Sequence, residues 1–277
     1  MFMVMQLINM VLLCFFATVL YSFQIYCDFS GYTDMAIGIA QYLGFDIEKN
    51  FDHPYFSKSV GEFWRRWHIS LSSWLRDYVY IPLGGSRVAL LRIYLNLLIT
   101  FLVSGIWHGS TWNFVIWGLI HGVYQCIGRA TKTFWEKIKI PSFIRIMITF
   151  CLVTFAWIFF RASDLQEVSI VISKILRLPQ DIGQFFVMKG ELGIKESIRV
   201  LFALNDYGFG GFPGMLKVFF FLVLFIVCEL CTQKTNGIMI IKSKSFLIRW
   251  ILYGFLVYIL LFSLYISSNT EFLYFAF

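Results

Sequence analysis

The chain predicts an all-α fold: a polytopic membrane protein with interfacial helices and one broken or re-entrant segment. Three observations carry that expectation. Of its 277 residues, 59% are apolar and only 14% charged, with mean hydropathy +0.74 and 32 phenylalanines; a water-soluble domain carries about a quarter of its residues charged. Uncharged stretches run over 1–27, 93–128, 146–160 and 250–270, and the first two exceed the roughly 20 residues of one helical crossing. These runs are apolar continuously, whereas the strands of a membrane β-barrel alternate. Helices are then the remaining way to satisfy the backbone in hydrocarbon.

The elements follow in order. The opening MFMVMQLINMVLLCFFATVL has no basic leader and no small-residue cleavage pattern, so it reads as a retained span rather than a signal peptide. Further spans are expected near 93–107, 109–128, 146–160, 218–232 and 250–267. The shorter of them borrow flanking residues, with Arg145, Arg161 or Lys217 snorkelling to the interface. The six cysteines read as small buried hydrophobes.

Charge sets the orientation. Residues 49–92 hold seven Lys/Arg against three acids, 129–145 five against one, and 233–249 four against none, while 161–217 is nearly balanced at seven against six. Basic loops stay on the cytoplasmic side, so 161–217 and the C-terminus are expected outside. The net charge of +7 is split among separate loops, which points to topology and anionic lipid rather than to nucleic acid.

Residues 28–92 form an interfacial polar cassette dense in Trp, Tyr, Gly and charge. Ser30 or Asp28 is placed to cap a helix over about 31–43, with Asp34 in its early turns. His53 precedes Pro54, so an extended loop conformation is expected there. Over 61–78 a helical wheel puts Trp64, Trp67, His68, Leu71 and Leu75 on one face and Arg65, Arg66 and Arg76 outside it. This reads as an amphipathic helix, with Trp64, Trp67 and Trp74 in the headgroup layer and the three arginines available to phosphate. His68 lies on the apolar face and needs a partner when buried. Pro82, Gly84 and Gly85 end the element. No recognisable ligand spacing accompanies the histidines, so no metal is expected.

The uncharged stretch 93–128 would be about 54 Å long as one helix, against a bilayer core of about 30 Å. It must break, and SGIWHGST at 104–111 is the place: Gly105 and Gly109 bracket Trp107 and His108, with hydroxyls to meet freed backbone groups. A neutral imidazole in a protein-lined cavity can take the proton of an alcohol attacking an acyl carbonyl. His108 is therefore either a general base or a structural histidine bonded across helices. His121, 13 residues on, would lie about 19 Å away along a straight helix, so it is expected to make an interhelical contact. Gly118 and Gly122 form a small-xxx-small pair suited to close packing.

At this point the residues resemble the membrane-bound O-acyltransferases, in the bacterial branch of alginate O-acetylation and teichoic-acid D-alanyl transfer proteins. The blocks that carry the resemblance are YCDFSGYTDMAIGIAQYLGFDIEKNFDHPYFSKSVGEFWRRWHISLSSWLRDYVYIPLGG at 26–85, SGIWHGSTWNFVIWGLIHG at 104–122 and EFLYFAF at the C-terminus. The resemblance implies one membrane-embedded acyltransferase domain over 1–277, N-terminally incomplete, with its catalytic broken segment at 93–128, in the bacterial cytoplasmic membrane. It implies an acyl group, acetyl on the evidence of the intact YIPLGG element, passing from a cytoplasmic thioester to hydroxyls of an extracytoplasmic polysaccharide.

The resemblance assigns the catalytic histidine to His108 and the second family position to His68, while Arg65, Arg66 and Arg76 are candidate contacts to the donor's phosphates. No tightly bound cofactor is implied; acetyl-CoA or an acyl carrier serves as co-substrate, with accessory acetylation proteins or an acyl carrier protein as partners. The rival readings are D-alanyl transfer to teichoic acid, a non-enzymatic transporter or scaffold using the broken helix, and an inactive fragment.

Overall fold

In the computed structural model, residues 2–138, 140–192, 211–233 and 243–266 are described. These residues are helical wherever they are regular. The chain divides into two compact units, 1–201 and 202–276. In the second, helices span Gly211–Thr232 and Phe246–Ile266, where the apolar runs predict them. Everything that follows on the site belongs to the first.

That unit opens with α1, Phe2–Tyr42, 41 residues that continue through the position where a second helix was expected to start. Asp28 and Ser30 therefore cap nothing. Ser30 is inside the helix, its hydroxyl donating to the Cys27 carbonyl at 3.5 Å. The reason is that Gly31 and Gly38 sit within an otherwise helix-compatible run with no proline, and glycine weakens a helix without breaking it. At about 60 Å, α1 is longer than a bilayer core. Its Tyr21, Ile25, Tyr26 and Phe29 are buried, and it packs on α7 (Ser142–Arg161) and α8 (Leu165–Leu192).

The cassette does not form the single amphipathic helix expected over 61–78. A short 3₁₀ turn at Pro54–Phe56 leads to α2, Val60–Arg66; Trp67 is extended, His68 is left-handed (φ 46°, ψ 55°), and α3 runs Ile69–Leu75 into a π turn at Arg76–Tyr80. Two caps explain the break. Ser59 accepts from the Glu62 N–H at 3.1 Å while Glu62 Oε2 takes the Lys58 N–H at 2.9 Å, a reciprocal arrangement that starts α2. The first N–H groups of α3 are met from outside the helix: Ile69 N–H donates to the Asn50 carbonyl at 3.0 Å, and Ser70 N–H to Asn50 Oδ1 at 3.0 Å. With orphan donors satisfied on both sides of the break, two short helices replace one long one.

Other cassette expectations change with it. Trp64 and Trp67 are buried at 6% and 3% exposure, and only Trp74, at 50%, is open to the surroundings. His53 is left-handed (φ 49°) and not extended; that turn buries Pro54 and lets the Tyr55 hydroxyl donate to the Ser22 carbonyl of α1. Gly84 and Gly85 end the cassette with φ of 104° and 55°, conformations that a side chain disfavours. Asn96 Nδ2 then pins the Gly85 carbonyl at 3.2 Å.

The long uncharged stretch is broken where expected. It forms an antiparallel pair, α4 at Leu90–His108 and α5 at Trp112–Ala130. After the short α6 (Lys132–Lys137), α7 closes the core. Helices α4 and α7 are each long and apolar enough to cross a membrane. Of the cysteines, Cys14 and Cys126 are half-buried and the other four exposed, so the reading of all six as small buried hydrophobes does not hold. Cys228 and Cys231 stand one helical turn apart in the helix Gly211–Thr232.

Candidate active site

The site is built at the tip of the α4–α5 pair, and glycine makes it possible. A Cβ on Gly105 would lie 2.3 Å from the Phe114 carbonyl oxygen, and one on Gly118 2.3 Å from that of Phe101. Both are backbone contacts that cannot retreat. The two helices touch through Gly105 and Gly118, with Gly122 against Leu98, as the spacing of Gly118 and Gly122 suggests.

His108 is the last residue of α4. Its Nδ1 lies 2.7 Å from the Ser104 carbonyl; a carbonyl only accepts, so Nδ1 carries the hydrogen and the neutral ring has its lone pair on Nε2. The ring is half-buried and held by aromatic edges, with Trp117 at 4.9 Å, Trp107 at 4.9 Å and Phe160 at 5.4 Å between centroids. Asn113 Nδ2 donates to the Ala162 carbonyl at 2.7 Å, which ties the tip of the pair to the end of α7.

His68 comes to the same place from the cassette. Its ring meets Phe29 of α1 at 4.7 Å and Trp107 at 6.3 Å, so Trp107 lies against both imidazoles. His68 Nδ1 faces Asn50 Oδ1 at 3.4 Å and Ser70 Oγ at 3.5 Å, while Nε2 is buried without a partner among the described residues. Burial holds the His68 pKa down at about 3, with the His108 charge a smaller cause. His68 is thus neutral throughout the ordinary pH range.

His121 also reaches this cluster, through the bend that a pocket shared with His108 requires. The break at Gly109–Thr111 folds α5 back beside α4, so both rings meet Trp117 edge to face, His121 at 5.1 Å. Its interhelical partner is Trp64, whose Nε1–H donates to His121 Nδ1 at 3.1 Å. The arginines are farther apart in role. Arg66 pairs with Glu62 at 2.7 Å, Arg76 with its neighbour Asp77 at 2.7 Å, and Arg65 is exposed. Among the described residues no group of three His, Cys, Asp or Glu side chains could hold a metal ion.

Sequence reasoning did not find Asn50, which both shapes the cassette break and faces His68. Nor did it find Trp107 and Trp117 as the walls of the site. The tryptophans were visible at one and nine residues from His108; Asn50 had no signal, because its role depends on contacts 18 to 20 residues away.

The sequence model of the membrane-bound O-acyltransferase family matches residues 2–163. The peptidoglycan O-acetyltransferase of Helicobacter pylori is 48% identical over 149 residues, 53% of this chain and 28% of that protein. The probable alginate O-acetylase AlgI of Azotobacter vinelandii is 49% identical over 146 residues, 53% of this chain and 29% of its own length. The teichoic acid D-alanyltransferase of Bacillus subtilis is 35% identical over 155 residues, 50% of this chain and 39% of its own length. The chain therefore spans less than two fifths of each of these relatives. The family match covers more than half of the chain, including the cassette, the glycine-packed pair and both candidate imidazoles, and on that ground the chain belongs to the membrane-bound O-acyltransferase family.

Proposed function

We propose that this chain carries the catalytic part of a polytopic O-acyltransferase of the bacterial cytoplasmic membrane, which moves an acetyl group from a cytoplasmic thioester to hydroxyls of an extracytoplasmic polysaccharide. The observation that supports it most is the His108 tautomer: Nδ1–H is committed to the Ser104 carbonyl, so Nε2 is the basic nitrogen, on the last residue of α4. The positive-inside assignment puts the cassette's flanking loop on the cytoplasmic side and the Gly109–Thr111 turn on the other. His68 enters with the cassette and His108 sits at the turn, and the Trp107 contact to both supports a reading in which donor and acceptor meet beside it.

In this reading the acceptor hydroxyl attacks the thioester carbonyl carbon as His108 Nε2 takes its proton. The tetrahedral oxyanion is held by His68 or by backbone N–H groups. The C–S bond then breaks and the thiolate leaves with the proton from the imidazolium, so protons balance and no metal is needed. Arg65, Arg66 and Arg76 are the candidate contacts for the phosphates of acetyl-CoA or of an acyl carrier, with Arg66 and Arg76 exchanging their present carboxylate partners.

Acetyl is favoured over D-alanyl because the O-acetylating relatives are 48–49% identical and the D-alanyl relative 35%. Mass analysis of cell-surface polymers from cells with the intact gene and with His108→Ala tests the whole proposal. Loss of one acetyl ester in the variant, with the protein still in the membrane, supports it. An unchanged ester profile refutes it, and loss of a D-alanyl ester would reassign the acyl group.

A further inference from the structure

Trp107 has no assigned role in acyl transfer, yet its position is unusual for a bilayer-facing residue. It is 57% exposed, while its ring lies against His108 at 4.9 Å and His68 at 6.3 Å. A large open aromatic surface therefore borders both imidazoles. The segment from Ser104 to Leu119 contains no Lys, Arg, Asp or Glu, and Ser110 and Thr111, in the turn that follows Trp107 and His108, are exposed. Arg161, brought near the tip by the Asn113 contact to Ala162, has its guanidinium over the Tyr21 ring at 5.9 Å.

An acceptor bound at this tip is thus met by an indole face and hydroxyls rather than by a cluster of cations. That combination suits a pyranose: its C–H face packs on the electron-rich indole surface, while its hydroxyl edges reach Ser110, Thr111 and the base. A chain of phosphodiesters would call instead for Arg and Lys.

We propose that Trp107 is the acceptor platform, stacking one pyranose ring of the polysaccharide so that a ring hydroxyl faces His108. This rests on the acyl-transfer reading for its hydroxyl but makes its own binding claim. The competing role for an exposed tryptophan at a helix end is an anchor in the headgroup layer, and Trp112, 72% exposed and without an imidazole neighbour, serves as the control for it.

The full chain in lipid nanodiscs is titrated by calorimetry with a uronic acid oligosaccharide, an N-acetylglucosamine oligosaccharide and a poly(glycerol phosphate). Variants Trp107→Ala, Trp107→Tyr and Trp112→Ala are compared, each checked for a monodisperse elution profile. Stacking by an aromatic ring predicts that Trp107→Ala weakens binding of one of the two sugars about tenfold, that Trp107→Tyr restores most of it, and that Trp112→Ala changes it less than about twofold. Equal weakening by Trp112→Ala assigns Trp107 to anchoring and overturns the proposal. So does undiminished sugar binding by Trp107→Ala, tighter binding of poly(glycerol phosphate) than of either sugar, or no sugar binding by the unaltered chain. Sugar binding that depends on Trp107, with cell-surface esters unchanged in His108→Ala, would keep the platform and refute the acyl-transfer reading.

Discussion

Replacing Gly118 with alanine tests whether close helix approach is what builds the site. The added Cβ would lie 2.3 Å from the Phe101 carbonyl oxygen and 3.1 Å from Gly105 Cα. An ordinary contact needs 3.4 Å or more, so α4 and α5 must separate by about 1 Å, because neither obstacle is a flexible side chain. Overpacking of this kind costs about 1–3 kcal/mol, offset by up to about 1 kcal/mol of better helix propensity. The net expectation is a loss of about 1–2 kcal/mol and a lower melting temperature in nanodiscs.

The functional effect should be larger than the effect on stability. Trp117 and His121 move with α5, whereas His108 moves with α4, and a misplacement of about 1 Å at reacting groups costs on the order of 10²-fold in rate. Gly31→Ala is the control, since a Cβ there meets nothing within 4 Å; it should be neutral or slightly stabilising. Melting temperature and cell-surface ester content are measured for both variants. If Gly118→Ala matches the unaltered protein in both, the argument that these glycines set the geometry is wrong.

Other outcomes follow from the same contacts. His108→Ala should lower ester formation by at least about 10²-fold with membrane insertion and elution profile unchanged; a similar loss of assembled protein would mean a structural histidine. Trp64→Phe removes the donor to His121 Nδ1 and leaves a buried acceptor unpaired, which should cost about 1–3 kcal/mol, read as a lower melting temperature than that of Trp74→Phe on the exposed side. Asn50→Ala takes away the acceptor of both Ser70 donors and the group facing His68; it should raise protease sensitivity between α2 and α3, and an unchanged digest would refute its capping role. For pH, His68 has a folded pKa of about 3, below its ordinary value of 6.5, so the unfolded chain binds more protons between those values. Stability should be level above about pH 7 and fall as the pH drops from 6.5 toward 3; replacing His68 with Gly, which tolerates the left-handed backbone, should flatten part of that decline.

Several features were legible from local chemistry alone. A 36-residue uncharged run cannot be one crossing, so a break was required, and Gly105, Gly109 and the intervening hydroxyls marked it. His108 stood out as a candidate because it is the imidazole at that break, and the spacing of Gly118 and Gly122 pointed to close helix packing.

What the sequence could not determine is what distant segments do to each other. The wheel over 61–78 is sound as periodicity, yet Asn50 supplies the acceptors that let the helix part at His68, and nothing within 61–78 encodes Asn50's position. The same holds for Trp64 and Trp67, which composition assigns to the headgroup layer but which α1, α5 and α7 enclose. It holds for His121, whose distance from His108 along the chain becomes irrelevant once α5 folds back. Local periodicity decides which residues prefer to be helical and which face is apolar; only the packed chain decides which apolar face meets protein, because both lipid and protein satisfy it equally well.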